Sequence, residues 1–219
     1  MRGTAILREV VTPVGPARTT TEGPASAPAL VLGHGAGAGT GVQARDLLAA
    51  RDAALQVGLR AVRVEQPWLV RGQRVAEAPA RLDLAWTAVL ESLDGPLVVG
   101  GRSAGARVAC RCACAGSPAR PVLGVLALAF PLQPPGGAGA SRLAELLTPD
   151  VPVLVVQGER DAFGVPEPAT GVQVDVVRGA DHAFRVRRVD ARTPEGVAAE
   201  ITERVAHWLA VLLATQTLT

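Results

Sequence analysis

Ser103 stands at the centre of Gly101-Arg102-Ser103-Ala104-Gly105, a spacing that lets a hydroxyl attack from a sharp turn. The apolar run before it, 96–100, reads as a buried strand, and the Ala/Val-rich pattern after it reads as a helix. A strand that feeds straight into a helix must turn abruptly, and Gly101 and Gly105 leave room for that turn. A serine hydroxyl becomes a good nucleophile only beside a base, and the base needs an acid to fix its tautomer. Both follow in order. Residues 152–158 form a second buried strand, and Asp161 leaves its end. Residues 173–177 form a further short strand, and the loop that closes it carries His182, one of only three His in the chain. The expected site is therefore Ser103, Asp161 and His182, with chemistry of the acyl-transfer type.

Other acids fit less well. Glu159 falls directly at the strand end and is the second choice; Asp175 lies inside a strand, with its side chain on a sheet face. Asp181 is too near His182 in sequence to buttress it easily. Acyl transfer also needs backbone N–H donors aimed at the developing oxyanion. The stretch 28–39 reads as a buried strand opening into a Gly-rich loop. Ala36 and Ala104 are the expected donors, with Gly37 the alternate if the loop turns one residue later. As a phosphate cradle this loop lacks the Gly-Lys-Ser/Thr ending, and the chain has no Lys at all. It also lacks the last spaced glycine of a dinucleotide fingerprint. His34 is expected to pack behind the loop as a structural residue.

The elements that must position these groups alternate along the chain. Residues 5–14 alternate like an exposed strand, and 18–22 can pair with it as a hairpin. Then come strand 30–32, helix 45–56, strand 60–64, helix 80–93, the strand before Ser103 and the helix after it. Strands 122–128, 152–158 and 173–177 follow, and Thr193-Pro194-Glu195 opens a last helix whose apolar positions run to Leu213. Trp208 and Leu209 should pack on the sheet, and His207 should stay partly exposed. Such alternation predicts an α/β fold, a doubly wound parallel sheet with its site at the strand C-termini.

Four motifs in register carry a family resemblance. They are Leu32-Gly33-His34-Gly35-Ala36-Gly37, Gly100-Gly101-Arg102-Ser103-Ala104-Gly105-Ala106-Arg107, Phe130-Pro131-Leu132-Gln133-Pro134-Pro135-Gly136 and Val156-Gln157-Gly158-Glu159-Arg160-Asp161-Ala162-Phe163-Gly164. From about Glu9 onward the chain resembles small α/β-hydrolases of the dienelactone-hydrolase-like kind. It is most similar to bacterial hydrolases grouped with a testis-expressed protein and a subunit of a nonspecific-lethal chromatin complex. The resemblance implies an α/β-hydrolase fold with a mostly parallel eight-stranded sheet and helices on both faces. It also carries nucleophile, acid and base onto Ser103, Asp161 and His182. The chain departs from it at Arg102, where members often carry Lys, and at Gln133, where they carry His.

Composition bounds the rest. The 219 residues suit one domain, 1–219, and no stretch is long and apolar enough to span a bilayer. Charge breaks the apolar run at the N-terminus too early for a signal peptide, so a cytoplasmic location is expected. A net charge of +2 and 3% aromatics argue against a nucleic-acid partner, and no membrane partner is expected. All basic residues are Arg. Cys110, Cys112 and Cys114 fall on the helix after Ser103, where 110 and 114 share one face. They cannot converge on one ion, so small buried residues are expected, and neither metal nor cofactor.

The expected substrate is a small acyl compound: an ester, thioester or lactone. Between Phe130 and 152 there is space for a loop and one short helix only, hence a shallow cleft with no large lid. Gly37, Trp68, Arg71, Phe130 and Phe163 are the candidate substrate contacts. Trp68 has the alternative of a hydrophobic plug, and Arg71 with Arg74 the alternative of solvated surface arginines. Two further readings are a non-catalytic interaction domain on this fold and a peptidase. Oligomeric state is not legible.

Overall fold

The computed structural model describes residues 4–37, 41–114, 121–137 and 139–216, the Gln216 side chain excepted. The end of the Gly-rich loop, 38–39, lies outside the described residues. In chain order the elements are β1 (Ile6–Val10), β2 (Ala17–Glu22), β3 (Ala29–Gly33), α1 (Arg45–Gln56), β4 (Arg60–Glu65) and α2 (Pro67–Val70). There follow α3 (Pro79–Glu91), β5 (Leu97–Arg102), α4 (Ala104–Arg111), β6 (Val122–Leu128) and α5 (Leu143–Leu146). The chain closes with β7 (Val153–Gly158), β8 (Val172–Val177) and α6 (Pro194–Gln216).

The eight strands form one sheet in the order β1-β2-β4-β3-β5-β6-β7-β8. Pairing is antiparallel from β1 through β2 to β4 and parallel from β4 to β8. Alternation along β3 shows why its apolar run is unbroken. Ala29 and Val31 pack toward Trp86, Val89 and Ala106, whereas Leu30 and Leu32 pack toward Leu47, Ala50 and Leu209. Helices cover both faces, so no strand position in the centre can be polar at low cost. Each Leu or Val buried this way contributes about 1.5–3 kcal/mol. Trp208 and Leu209 are buried against the sheet, and His207 is exposed. The Thr193 hydroxyl accepts the Gly196 N–H at 3.0 Å, which caps α6.

Two expectations are corrected. The first strand ends at Val10, not at 14, because Thr12 and Gly15 close a turn there, and its side chains are exposed on both faces rather than alternating. It lies at the sheet edge, with β2 its sole partner strand. Helix α4 ends at Arg111, so Cys112 and Cys114 stand beyond it and Cys110 shares no helix face with Cys114. The chain must turn back there to enter β6. Cys110 and Cys112 are nonetheless buried, and burial, the largest influence, pushes each thiol up to about 12.

Candidate active site

Strand β5 delivers its last residues to the sheet's C-terminal edge, and α4 begins one residue after Ser103. The turn between them is tight. Ser103 has φ 52 and ψ −113, a conformation L-residues rarely hold and one that costs about 1–3 kcal/mol. Its N–H donates to the Leu128 carbonyl at 2.9 Å, and its carbonyl accepts the Arg107 N–H at 3.2 Å. A Cβ on Gly101 or on Gly105 would sit 2.4 Å from the Gly33 carbonyl oxygen. Strand β3, strand β5 and helix α4 therefore meet through bare backbone.

The three expected side chains come together from three separate strand ends. His182 Nε2 lies 3.1 Å from Ser103 Oγ, and His182 Nδ1 lies 2.8 Å from Asp161 Oδ2. The Asp161 side chain is fully buried, whereas the His182 side chain is 23% exposed. Asp161 Oδ1 accepts the Phe163 N–H at 2.8 Å. Rival acids are engaged elsewhere. Glu159 accepts the Gly179 N–H, Asp175 is held by Gln173 and Arg204, and Asp181 accepts the N–H groups of Ala183 and Arg185. That last pair curls the loop around His182, and the buried Phe184 anchors it to the core.

The Gly-rich loop runs beside Ser103. A Cβ on Gly35 would lie 3.6 Å from Ser103 Cβ. Ala36 and Ala104 line a common hollow of about 10 Å³ with His34 and Trp68, large enough for one water and no more. Gly37 is exposed and bridges to Val75, which ties the loop to the connection before α3. His34 is buried behind the loop. It receives the Gln66 N–H on Nε2 at 3.0 Å and contacts the Gly35 carbonyl through Nδ1 at 2.8 Å. Burial pushes its pKa down, against the upward pull of the Gly35 hydrogen bond.

Two candidate substrate contacts, Trp68 and Phe130, are buried, and Arg71 is exposed but already paired. Trp68 is 1% exposed, a plug stacked edge-on against His34 with ring centres 5.2 Å apart, because α2 turns it inward. Phe130 is fully buried in the core below the edge. Arg71 is held by the Val14 carbonyl at 2.9 Å and by Glu77 at 2.7 Å, so its terminal nitrogens are already engaged. Phe163 by contrast packs edge-on against His182, with ring centres 4.5 Å apart.

The sequence reading missed two supports. Arg102 donates through Nε to the buried Asp46 at 2.7 Å and through Nη2 to the His182 carbonyl at 3.0 Å, so α1 braces the His182 loop. Gln157, on β7, donates from Nε2 toward Asp161 Oδ2 at 2.8 Å. Arg107 pairs with Glu145, and Arg111 with Asp83 and Glu145, which fastens α4 to α5 and α3. Among the described residues no group of His, Cys, Asp and Glu is placed to hold a metal ion, and no helix is long and apolar enough to cross a membrane.

A doubly wound sheet with Ser after its fifth strand, Asp after its seventh and His after its eighth has the layout of an α/β hydrolase. The chain belongs to the family described as alpha/beta hydrolase domain, whose model matches residues 26–210. Solved structures share the fold. One is an alpha-beta serine hydrolase homologue from Coxiella burnetii, 21% identical, with TM-score 0.68 over 96% of this chain and 99% of that one. Another is XC6422 from Xanthomonas campestris, an a/b serine hydrolase without lid, 18% identical, with TM-score 0.66 over 93% and 94%. A third is Est1E from Butyrivibrio proteoclasticus, 13% identical, with TM-score 0.69 over 95% and 99%. No curated protein matches the sequence.

Proposed function

We propose that this protein is a serine hydrolase that cleaves a small ester, thioester or lactone, of the dienelactone-hydrolase-like kind its motifs resemble. The observation that carries the reading is the unbroken line from Ser103 Oγ through His182 to the buried Asp161, mounted on a strained turn. His182 Nε2 takes the Ser103 proton as Oγ bonds to the substrate carbonyl carbon. Asp161 keeps the other proton on Nδ1 and stabilises the imidazolium. The N–H groups of Ala36 and Ala104 face the oxyanion. Collapse of the tetrahedral species breaks the bond to the leaving group, which receives the proton from His182 and leaves an acyl-enzyme. Water, giving its proton to His182, then attacks the acyl carbon; the acid departs and Ser103 regains its hydrogen.

A fluorophosphonate probe followed by a panel of short p-nitrophenyl esters, thioesters, lactones and peptide amides tests this. Ser103→Ala should fold, lose labelling and lose several powers of ten in turnover. Near-wild-type esterase activity in that variant would remove Ser103 as nucleophile. Absence of labelling in the wild type favours a non-catalytic interaction domain, and turnover of amides alone favours a peptidase.

A further inference from the structure

Gln157 is completely buried at the next-to-last position of β7, where a polar side chain is costly unless its hydrogen bonds are met. Three oxygens surround its Nε2: Asp161 Oδ2 at 2.8 Å, the Gly164 carbonyl at 2.9 Å and the Phe130 carbonyl at 3.0 Å. All three can only accept, so the group facing them must be the NH₂ and not the amide oxygen. Two N–H bonds serve three acceptors. Meanwhile the amide oxygen, Oε1, is buried with no partner. The amide keeps an unmet acceptor while its NH₂ faces Asp161.

The oxygen that Gln157 reaches is the one that receives His182 Nδ1. Asp161 Oδ1 is meanwhile held by the Phe163 N–H. The carboxylate is thus pinned at both oxygens and cannot rotate. A second donor on Oδ2 also draws negative charge away from the contact with the imidazole, which limits how strongly the protonated ring is held. We propose that Gln157 is a positioning residue that orients Asp161 and tunes, through it, the proton affinity of His182. This role rests on the serine-hydrolase reading. The charged groups beside His182 are each held in an ion pair. Arg102 of β5 meets the His182 carbonyl and is paired with Asp46 of α1, and Asp181 of the same loop is paired with Arg185. Ser103 and the Phe163 ring complete the surroundings.

The test has two arms. Gln157→Met keeps the length of the side chain and removes both donors. With Asp161 Oδ2 left to His182 alone, the imidazolium is held more tightly, and the acid limb of kcat/KM moves to higher pH by about half to one pH unit. The looser carboxylate lowers kcat about tenfold with little change in KM. A folded variant whose acid limb stays in place overturns the proposal, whatever its kcat. The second arm uses the wild-type protein and so does not depend on the variant folding. The Gln157 carboxamide signals, followed by ¹⁵N–¹H NMR, should shift with pH at the same midpoint as the His182 ring. Carboxamide signals that ignore the His182 titration overturn the coupling. Failure of the serine-hydrolase reading shows separately, as a Ser103 that the fluorophosphonate leaves unlabelled.

Discussion

His34 illustrates how one side chain can be fixed in its protonation state by its neighbours. The Gln66 N–H can only donate, so Nε2 must accept, and the ring proton sits on Nδ1, where it serves the Gly35 carbonyl. A proton added to Nε2 would confront the Gln66 N–H in a buried site. The folded protein therefore binds that proton less readily than the unfolded chain. Above about pH 6.5 both states are neutral at this position; below it the unfolded chain gains the proton first, and stability falls with pH. Calorimetry should show Tm falling from pH 7 to pH 5. His34→Gln, which has no group that titrates between pH 5 and 7, should flatten that fall; equal slopes in both proteins would sink the argument. At this scale the arrangement was legible where order along the chain mattered. Ser103, Asp161 and His182 each follow a strand, and that ordering survives in a linear sequence. Side-chain direction does not survive. Trp68, Arg71 and Phe130 each follow the end of a strand, β4 or β6, yet their side chains turn into the core or toward Glu77. Gln157 escaped notice for the opposite reason, because a single polar residue in an apolar strand carries no sign of what it meets.

Among the elements, the meeting of β3, β5 and α4 sets the position of Ser103 most directly. Gly105→Ala would place a methyl 2.4 Å from the Gly33 carbonyl oxygen and 2.8 Å from that of His34, both backbone atoms that cannot swing aside. Urea unfolding should show a loss of about 1–3 kcal/mol or more, since the strand and helix must separate. Gly37→Ala, with nothing within 4 Å of the added carbon, should unfold like the wild type. Equal midpoints for Gly105→Ala and the wild type would mean the helix shifts freely. Strands buried on both faces were easy to place from sequence, because long apolar runs bounded by Gly and Pro have few other uses. The end of α4 was not. Ala113 and Cys112 favour nothing in particular, and the helix stops where the chain must turn back toward β6.

For the whole molecule, what lies over the cleft matters as much as what lies in it. From Leu128 to Val153 the described residues hold one turn of 3-10 helix at Pro135–Gly137 and one short α-helix, α5, and no larger cap. An acyl chain then gains burial only until the cleft is filled, about 0.8 kcal/mol for each methylene that leaves water. Across p-nitrophenyl esters from acetate to decanoate, kcat/KM should rise over the first few carbons and then level or fall. A steady climb to decanoate would show a longer groove than this fold offers. The same economy of cover gives the turn at Ser103 a wider meaning. At φ 52 glycine would sit without penalty, and the serine costs about 1–3 kcal/mol of a folding margin of only about 5–15. Selection for durability alone would replace the hydroxyl-bearing residue there with glycine. On the serine-hydrolase reading, a lineage that no longer needed turnover would gain robustness by drifting away from Ser103, and the serine would mark a trade-off between lasting and acting.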